Sequence, residues 1–180
     1  MKKTLAIIAA LVMVFAATFA LAEEPAKISF SGGVEFNMDM DQVMELLKAA
    51  GNMTNPEIDS ERTRGTVEFW ELEYENVAKD GYIADVKYFF VGNGLVAIRC
   101  DFAEGTSYDR VRNDLAAYGE AVPFDSAAIG NARYVIDDDG ELRDCKEMIL
   151  ANGATFVLEQ DEDGDVELTI LDPTAAYINN

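Results

Sequence analysis

Glu71, Glu73 and Glu75 stand at alternate positions of a strand-like run, the spacing that places carboxylates on one face of a sheet. Paired carboxylates of this kind can act as acid and base in glycosidic-bond hydrolysis, or can simply form a wet sheet face. The rest of the catalytic repertoire is thin. The chain has no histidine, which removes Ser-His-Asp and Cys-His catalysis, the usual zinc sites and the commonest general base near neutral pH. It also has neither a nucleophile motif nor a glycine-rich phosphate loop, so the expectation is a protein that is not an enzyme and uses no cofactor. Aromatic rings give large contact areas at little entropy cost, and Trp70 and Tyr74 flank the carboxylates; Trp70, Tyr74, Glu71 and Glu73 are therefore the candidate partner-binding surface. Trp70 alternates with Leu72, a pattern that equally suits an inward face beneath a helix.

Two further groups of residues invite chemistry. Cys100 and Cys145 are the only cysteines; in an oxidising compartment they can close one disulfide, worth roughly 3 to 4 kcal/mol in the chain-entropy model, or stay as two separately buried thiols. The acidic turns at 137–140 and 161–165 offer the oxygen ligands that calcium requires. With Gly164 as the loop glycine, however, Ile170 falls where a bidentate glutamate is needed, and with Gly140 the first ligand position falls on Val135. Solvated hairpin tips are the expectation, with no metal bound.

Charge narrows the partners. The chain carries 34 acidic against 14 basic side chains, a net charge of −20, which repels phosphate backbones and anionic lipid. About half the residues are apolar, so a packed core is expected despite the charge.

The elements that must position these residues begin after a leader. Lys2 and Lys3, an uncharged apolar run and then Ala20-Leu21-Ala22 read as a secretory signal peptide cut after Ala22, with no cysteine at the cut for lipid attachment. Removing 22 of the 180 residues leaves 158, enough for one domain or two small halves sharing a core. The mature chain is expected in the periplasm or the medium, monomeric and not inserted in a membrane.

Asp39, Val43, Leu47 and Gly51 recur as Ser107, Val111, Leu115 and Gly119, each pair 68 positions apart. Both quartets describe a capped amphipathic helix stopped by glycine. The first is followed by an irregular loop over 52–64 and strands over 66–74, 82–91 and 95–102. The second is followed by strands over 133–136, 142–150, 154–160 and 166–171. On the third strand Val96, Ile98, Cys100 and Phe102 are expected to face one way and Ala97, Arg99 and Asp101 the other. The fold class expected is α+β: two tandem helix-plus-antiparallel-sheet modules, 23–105 and 106–172, sharing a core with helices on one sheet face, and a tail at 173–180.

The stretch Val34-Glu35-Phe36-Asn37-Met38-Asp39 with Gln42-Val43 resembles the opening of modules of the β-lactamase inhibitory protein-like fold and the SmpA/OmlA outer-membrane assembly lipoproteins. Tyr88-Phe89-Phe90-Val91, Leu95-Val96-Ala97-Ile98 and the run from Tyr108 to Gly119 resemble its exported two-module members. The resemblance covers roughly 28–172 and implies a binding or inhibitory module without catalytic residues, using a sheet face and hairpin loops for contact. The chain departs from the inhibitory protein in having two cysteines rather than two disulfides, and from the lipoproteins in lacking the acylated cysteine. An exported module that binds a protein partner is therefore the expectation, with an envelope-assembly component and a carboxylate hydrolase as alternatives.

Overall fold

Helix α1 (Met40–Ala50) opens as its sequence dictates: the Asp39 carboxylate accepts from the Gln42 N–H at 2.8 Å while the Gln42 side chain accepts from the Asp39 N–H at 3.1 Å. This reciprocal box satisfies two donors that the first helical turn leaves unpaired. Gly51, at φ 75°, ends the helix in the left-handed conformation that glycine adopts without steric cost. Helix α2 (Tyr108–Leu115) is shorter, with Ser107 as its cap and a longer 3.4 Å contact to the Arg110 N–H. We expect Asp39→Ala to lower stability by about 1 kcal/mol in urea unfolding, and Ser107→Ala by distinctly less. Equal losses would show that the two caps are equivalent.

The computed structural model describes residues 31–51, 56–64, 67–132, 142 and 144–175. The leader, the strand expected at 133–136 and the acidic turn at 137–140 lie outside these residues, as does the end of the tail. Among the described residues no helix is long and apolar enough to cross a membrane.

Among the described residues eight strands form one antiparallel sheet: β1 (Glu57–Arg64), β2 (Val67–Lys79), β3 (Tyr82–Val91), β4 (Gly94–Phe102), β5 (Val122–Pro123), β6 (Cys145–Ala151), β7 (Ala154–Gln160) and β8 (Val166–Leu171). Their spatial order is β1-β2-β3-β4-β8-β7-β6-β5. The decisive seam is β4 against β8, running from Ala97 opposite Leu171 to Asp101 opposite Glu167. It overturns the expected α+β architecture of two tandem helix-plus-sheet modules: strand is the dominant element, the helices are few and short, and the sheet is continuous. The physical reason is that each meander alone would leave the polar backbone edge of β4 or β8 unpaired, and joining them satisfies both. The 68-residue spacing marks two similarly capped helices, not a repeated module.

Both sheet faces carry apolar residues. The larger core gathers Leu72, Tyr88, Phe90, Ile98, Phe156 and Ile170 with Val43 and Leu47 of α1 and Val111 and Leu115 of α2. The smaller one, on the other face, gathers Phe89, Val96, Ala97, Val157 and Leu171 beside Ile129 and Ala132, from a short helix α3 (Ser126–Ile129) and the turn after it. Burial on both sides explains why β7 is buried continuously from Ala154 to Glu159 rather than alternately.

Other expectations are corrected in detail. Residues 57–64, read as loop, form β1; a rim strand of charged and polar types shows no apolar alternation and is held by its backbone ladder with β2. Helix α2 ends at Leu115 rather than at Gly119. A Cβ at residue 119 would stand 2.9 Å from Ile149 Cγ2, so that glycine serves a close approach rather than a helix stop. Val96 joins Ala97 in the smaller core because the β3–β4 register shifts between Phe89 and Phe90.

Candidate functional site

Strand alternation splits the candidate surface between the two faces of β2. Leu72 and Tyr74 are buried in the larger core and Trp70 packs against it, so the inward placement of these aromatics prevails. Tyr88 is buried there too, its ring edge-on to Tyr74. Glu71 and Glu73 lie on the opposite face. The four residues do not form one surface; the carboxylate pair belongs to another grouping.

That grouping is read directly from the register. Residues opposite one another on adjacent antiparallel strands share a face. Glu73, Lys87, Arg99 and Thr169 form one row across β2, β3, β4 and β8. In the next row Asp85, Asp101, Glu167 and Glu159 stand side by side across β3, β4, β8 and β7. With Glu71, six carboxylates surround two cations.

The cations are fully engaged. Lys87 Nζ lies 3.8 Å from Glu71, 3.7 Å from Glu73 and 3.7 Å from Asp101. Arg99 donates from Nε to Asp101 at 3.0 Å and from its other arm to Glu167. Asp85 accepts from the Asn76 N–H at 2.7 Å, where β2 bulges between Tyr74 and Val77. Glu159 is 7% exposed and accepts from the Thr169 hydroxyl at 3.5 Å and from the Cys145 thiol.

Electrostatics follow from this crowding. Burial pushes the Glu159 carboxyl up to about 7; the neighbouring Glu167 adds to the rise, while Arg99 and the Cys145 hydrogen bond oppose it. Burial also raises Glu167 and Glu73, opposed in turn by Arg99 and Lys87. Arg99 would be lowered by burial, but Asp101, Glu167 and Glu159 outweigh that and raise it. Among the described residues this face sets six carboxylates around Lys87 and Arg99.

Cys100 and Cys145 are not brought together. Cys100 on β4 packs against the larger core and Cys145 on β6 against the smaller one, on opposite sheet faces. Strands β8 and β7 lie between them, so three strand spacings of about 4.8 Å separate the two chains where a disulfide needs Cα atoms within about 7 Å. We expect dithiothreitol to leave the melting temperature unchanged, and non-reducing peptide mapping to find no 100–145 crosslink. A cystine peptide joining them would contradict the strand order.

The acidic tip at 161–165 is organised as a turn, with the Asp161 carboxylate accepting from the Gly164 and Asp165 N–H groups at 2.8 Å each. Among the described residues no cluster of three acidic or cysteine side chains is placed to hold a metal ion.

Sequence reasoning found the outward side of Arg99 and Asp101 and the shared face of Glu71 and Glu73, but not their meeting. It missed Asp85, Lys87, Glu159 and Glu167 as members. The available signal was a lone charge between apolar neighbours in a strand: Lys87 between Val86 and Tyr88, Arg99 between Ile98 and Cys100, Glu167 between Val166 and Leu168. No known protein family, curated protein or solved structure matches the chain.

Proposed function

We propose that this chain is an exported, non-enzymatic module that binds a basic surface of a protein partner through the carboxylate-rich sheet face centred on Lys87 and Arg99. The observation that carries the reading is the row Asp85–Asp101–Glu167–Glu159, four carboxylates side by side across four strands. Like charges directly opposite on neighbouring strands destabilise a sheet, and such an arrangement persists where a surface serves contact rather than stability. A partner's lysine or arginine side chains would complement these carboxylates, and the packing of Trp70 and Tyr74 toward the opposite face leaves charge as the chief means of recognition here. The leader read at residues 1–22 and the resemblance to exported inhibitory modules support the same function.

The test is capture by the immobilised chain from the exporting cell's envelope and medium. A partner bound through this face should be released as salt rises to about 0.5 M. Glu73→Gln/Glu167→Gln should weaken its capture at least about tenfold while leaving circular dichroism unchanged. Undiminished capture by that variant would contradict the reading.

A carboxylate hydrolase is the second reading, favoured by the Glu159–Glu167 pair, in which one acid is held protonated to near neutrality as a general acid requires. It requires hydrolysis of a glycan by the parent chain and loss of that activity in Glu159→Gln, whereas a binding module keeps its partner in the same variant.

A further inference from the structure

Two hairpins of the sheet carry the same dipeptide. Asn93-Gly94 lies where β3 turns into β4 and Asn152-Gly153 where β6 turns into β7, and nowhere else in the chain does glycine follow asparagine. The pair brings its own chemistry: the backbone nitrogen of the following residue is placed to attack the asparagine side-chain carbonyl, and glycine, lacking a Cβ, leaves that approach open. Both asparagines are exposed, so access to solvent does not separate them. Their places in the loop do.

Each loop has two residues, and the bond that closes such a turn is donated by the residue after the loop to the carbonyl of the residue before it. In the first hairpin the loop is Gly92-Asn93, closed by the pair Val91 and Gly94. The nitrogen that would attack Asn93 is therefore the one that closes the turn. It is also hemmed in: a Cβ on Gly94 would stand 3.6 Å from Asn37 Cα, and the adjoining Leu95 donates to Met38 and accepts from Asn37, both at 2.8 Å. In the second hairpin the dipeptide sits one position earlier, so that Asn152-Gly153 is the whole loop and Ala151 and Ala154 close it. The nitrogen facing Asn152 belongs to Gly153, inside the loop, and the closing bond falls to Ala154. Gly153 stands at φ 92°, and beyond its chain neighbours no described atom lies within 4 Å of where a Cβ would be. Its peptide can turn without displacing anything.

We propose that Asn152 is a self-modifying site, converted to aspartate and isoaspartate through attack by the Gly153 backbone nitrogen. In the first step that nitrogen bonds to Asn152 Cγ, the Cγ–Nδ2 bond breaks, and the proton of the Gly153 N–H leaves with the side-chain nitrogen as ammonia. The product is a closed imide ring. Water then adds to one of its two carbonyl carbons, the bond from that carbon to the ring nitrogen breaks, and a proton from the water passes to the nitrogen. Opening at Cγ leaves aspartate; opening at the backbone carbonyl leaves isoaspartate, whose main chain is one carbon longer. Either product adds a negative charge at a tip lying at the far end of the β6–β7 ladder from Cys145 and Glu159, so the proposal is independent of the binding face.

The test is incubation of the folded chain in mildly alkaline buffer at physiological temperature, followed over time by peptide mapping with isoaspartate detection. Conversion should concentrate at Asn152 and run about tenfold faster than at Asn93, because Asn93 reacts only after the turn-closing bond has broken. In strong denaturant both loops are lost, and the two sites should convert at similar rates. Asn152→Ser removes the reacting amide and should abolish the more acidic species that ion exchange resolves from the folded parent, whereas Asn93→Ser should leave that species in place. Equal rates at the two sites in the folded chain, faster conversion at Asn93, or an Asn152 that stays intact when folded while the denatured chain converts would overturn the proposal.

Discussion

At pH 7.5 the Glu159→Gln chain is expected to be about 2 to 3 kcal/mol more stable than its parent, and the difference should vanish near pH 4.5. Burial raises the Glu159 carboxyl from the ordinary value of 4.5 to about 7 in the folded chain. The stabilisation from holding a neutral acid there is fully present below 4.5 and is lost as pH rises through 7. Glu167, Asp144, Arg99 and the Cys145 thiol all act on this group, and the first two raise it further. Glu167 and Glu73 are shifted in the same direction, so the parent should lose stability as the medium goes from mildly acidic to neutral. Urea unfolding of both chains between pH 4 and 8 isolates Glu159 from the general relief of repulsion on acidification. A glutamine variant with the parent's slope, or a parent more stable at pH 7.5 than at pH 5, would contradict the burial of an unneutralised acid.

The opposite change at the centre should be costly. Arg99→Met removes the cation that bonds Asp101 and Glu167 and offsets Glu159, leaving three carboxylates crowded on one face. Breaking a desolvated pair on one side costs about 3 kcal/mol or more, and that is the loss expected at pH 7.5. Acid should recover much of it, because Glu167 and Glu159, freed from Arg99, protonate at higher pH and then need no counter-charge. Arg99→Lys should fall between the two chains, since an ammonium keeps the charge but not the two-armed geometry. Equilibrium unfolding at pH 7.5 and pH 5 decides the matter; a loss under about 1 kcal/mol, or one independent of pH, would mean that solvent already screens the cluster.

The two predictions turn on residues from separate strands, and this is where the sequence was least legible. Local chemistry could be read well. Asp39, Gln42 and Gly51 mark α1, and the turns at Gly92 and Gly164 mark hairpins whose strands run very nearly as expected. Charged β1 escaped because a rim strand needs no apolar alternation, and α2 was overextended because Gly119 looked like a stop when it serves Ile149. The seam of β4 with β8 was invisible: which backbone edges meet depends on the whole chain, and no residue pattern at Ala97 or Leu171 announces it. The charged face inherits that limit. Glu71 and Glu73 could be placed together by alternation on one strand, whereas their juxtaposition with Arg99, Glu167 and Glu159 exists only once the strand order is known.

NMR shift mapping with an arginine peptide addresses the binding face most directly, because it needs no identified partner. Titrated into the isotopically labelled chain at about 0.1 M salt, the peptide should move the signals of Glu73, Lys87, Arg99, Asp101 and Glu167 first and furthest. The Glu73→Gln/Glu167→Gln chain should show much smaller changes there. Shifts confined to the acidic tip at 161–165, with the signals around Arg99 unmoved, would show that the sheet face is not where this protein meets positive charge.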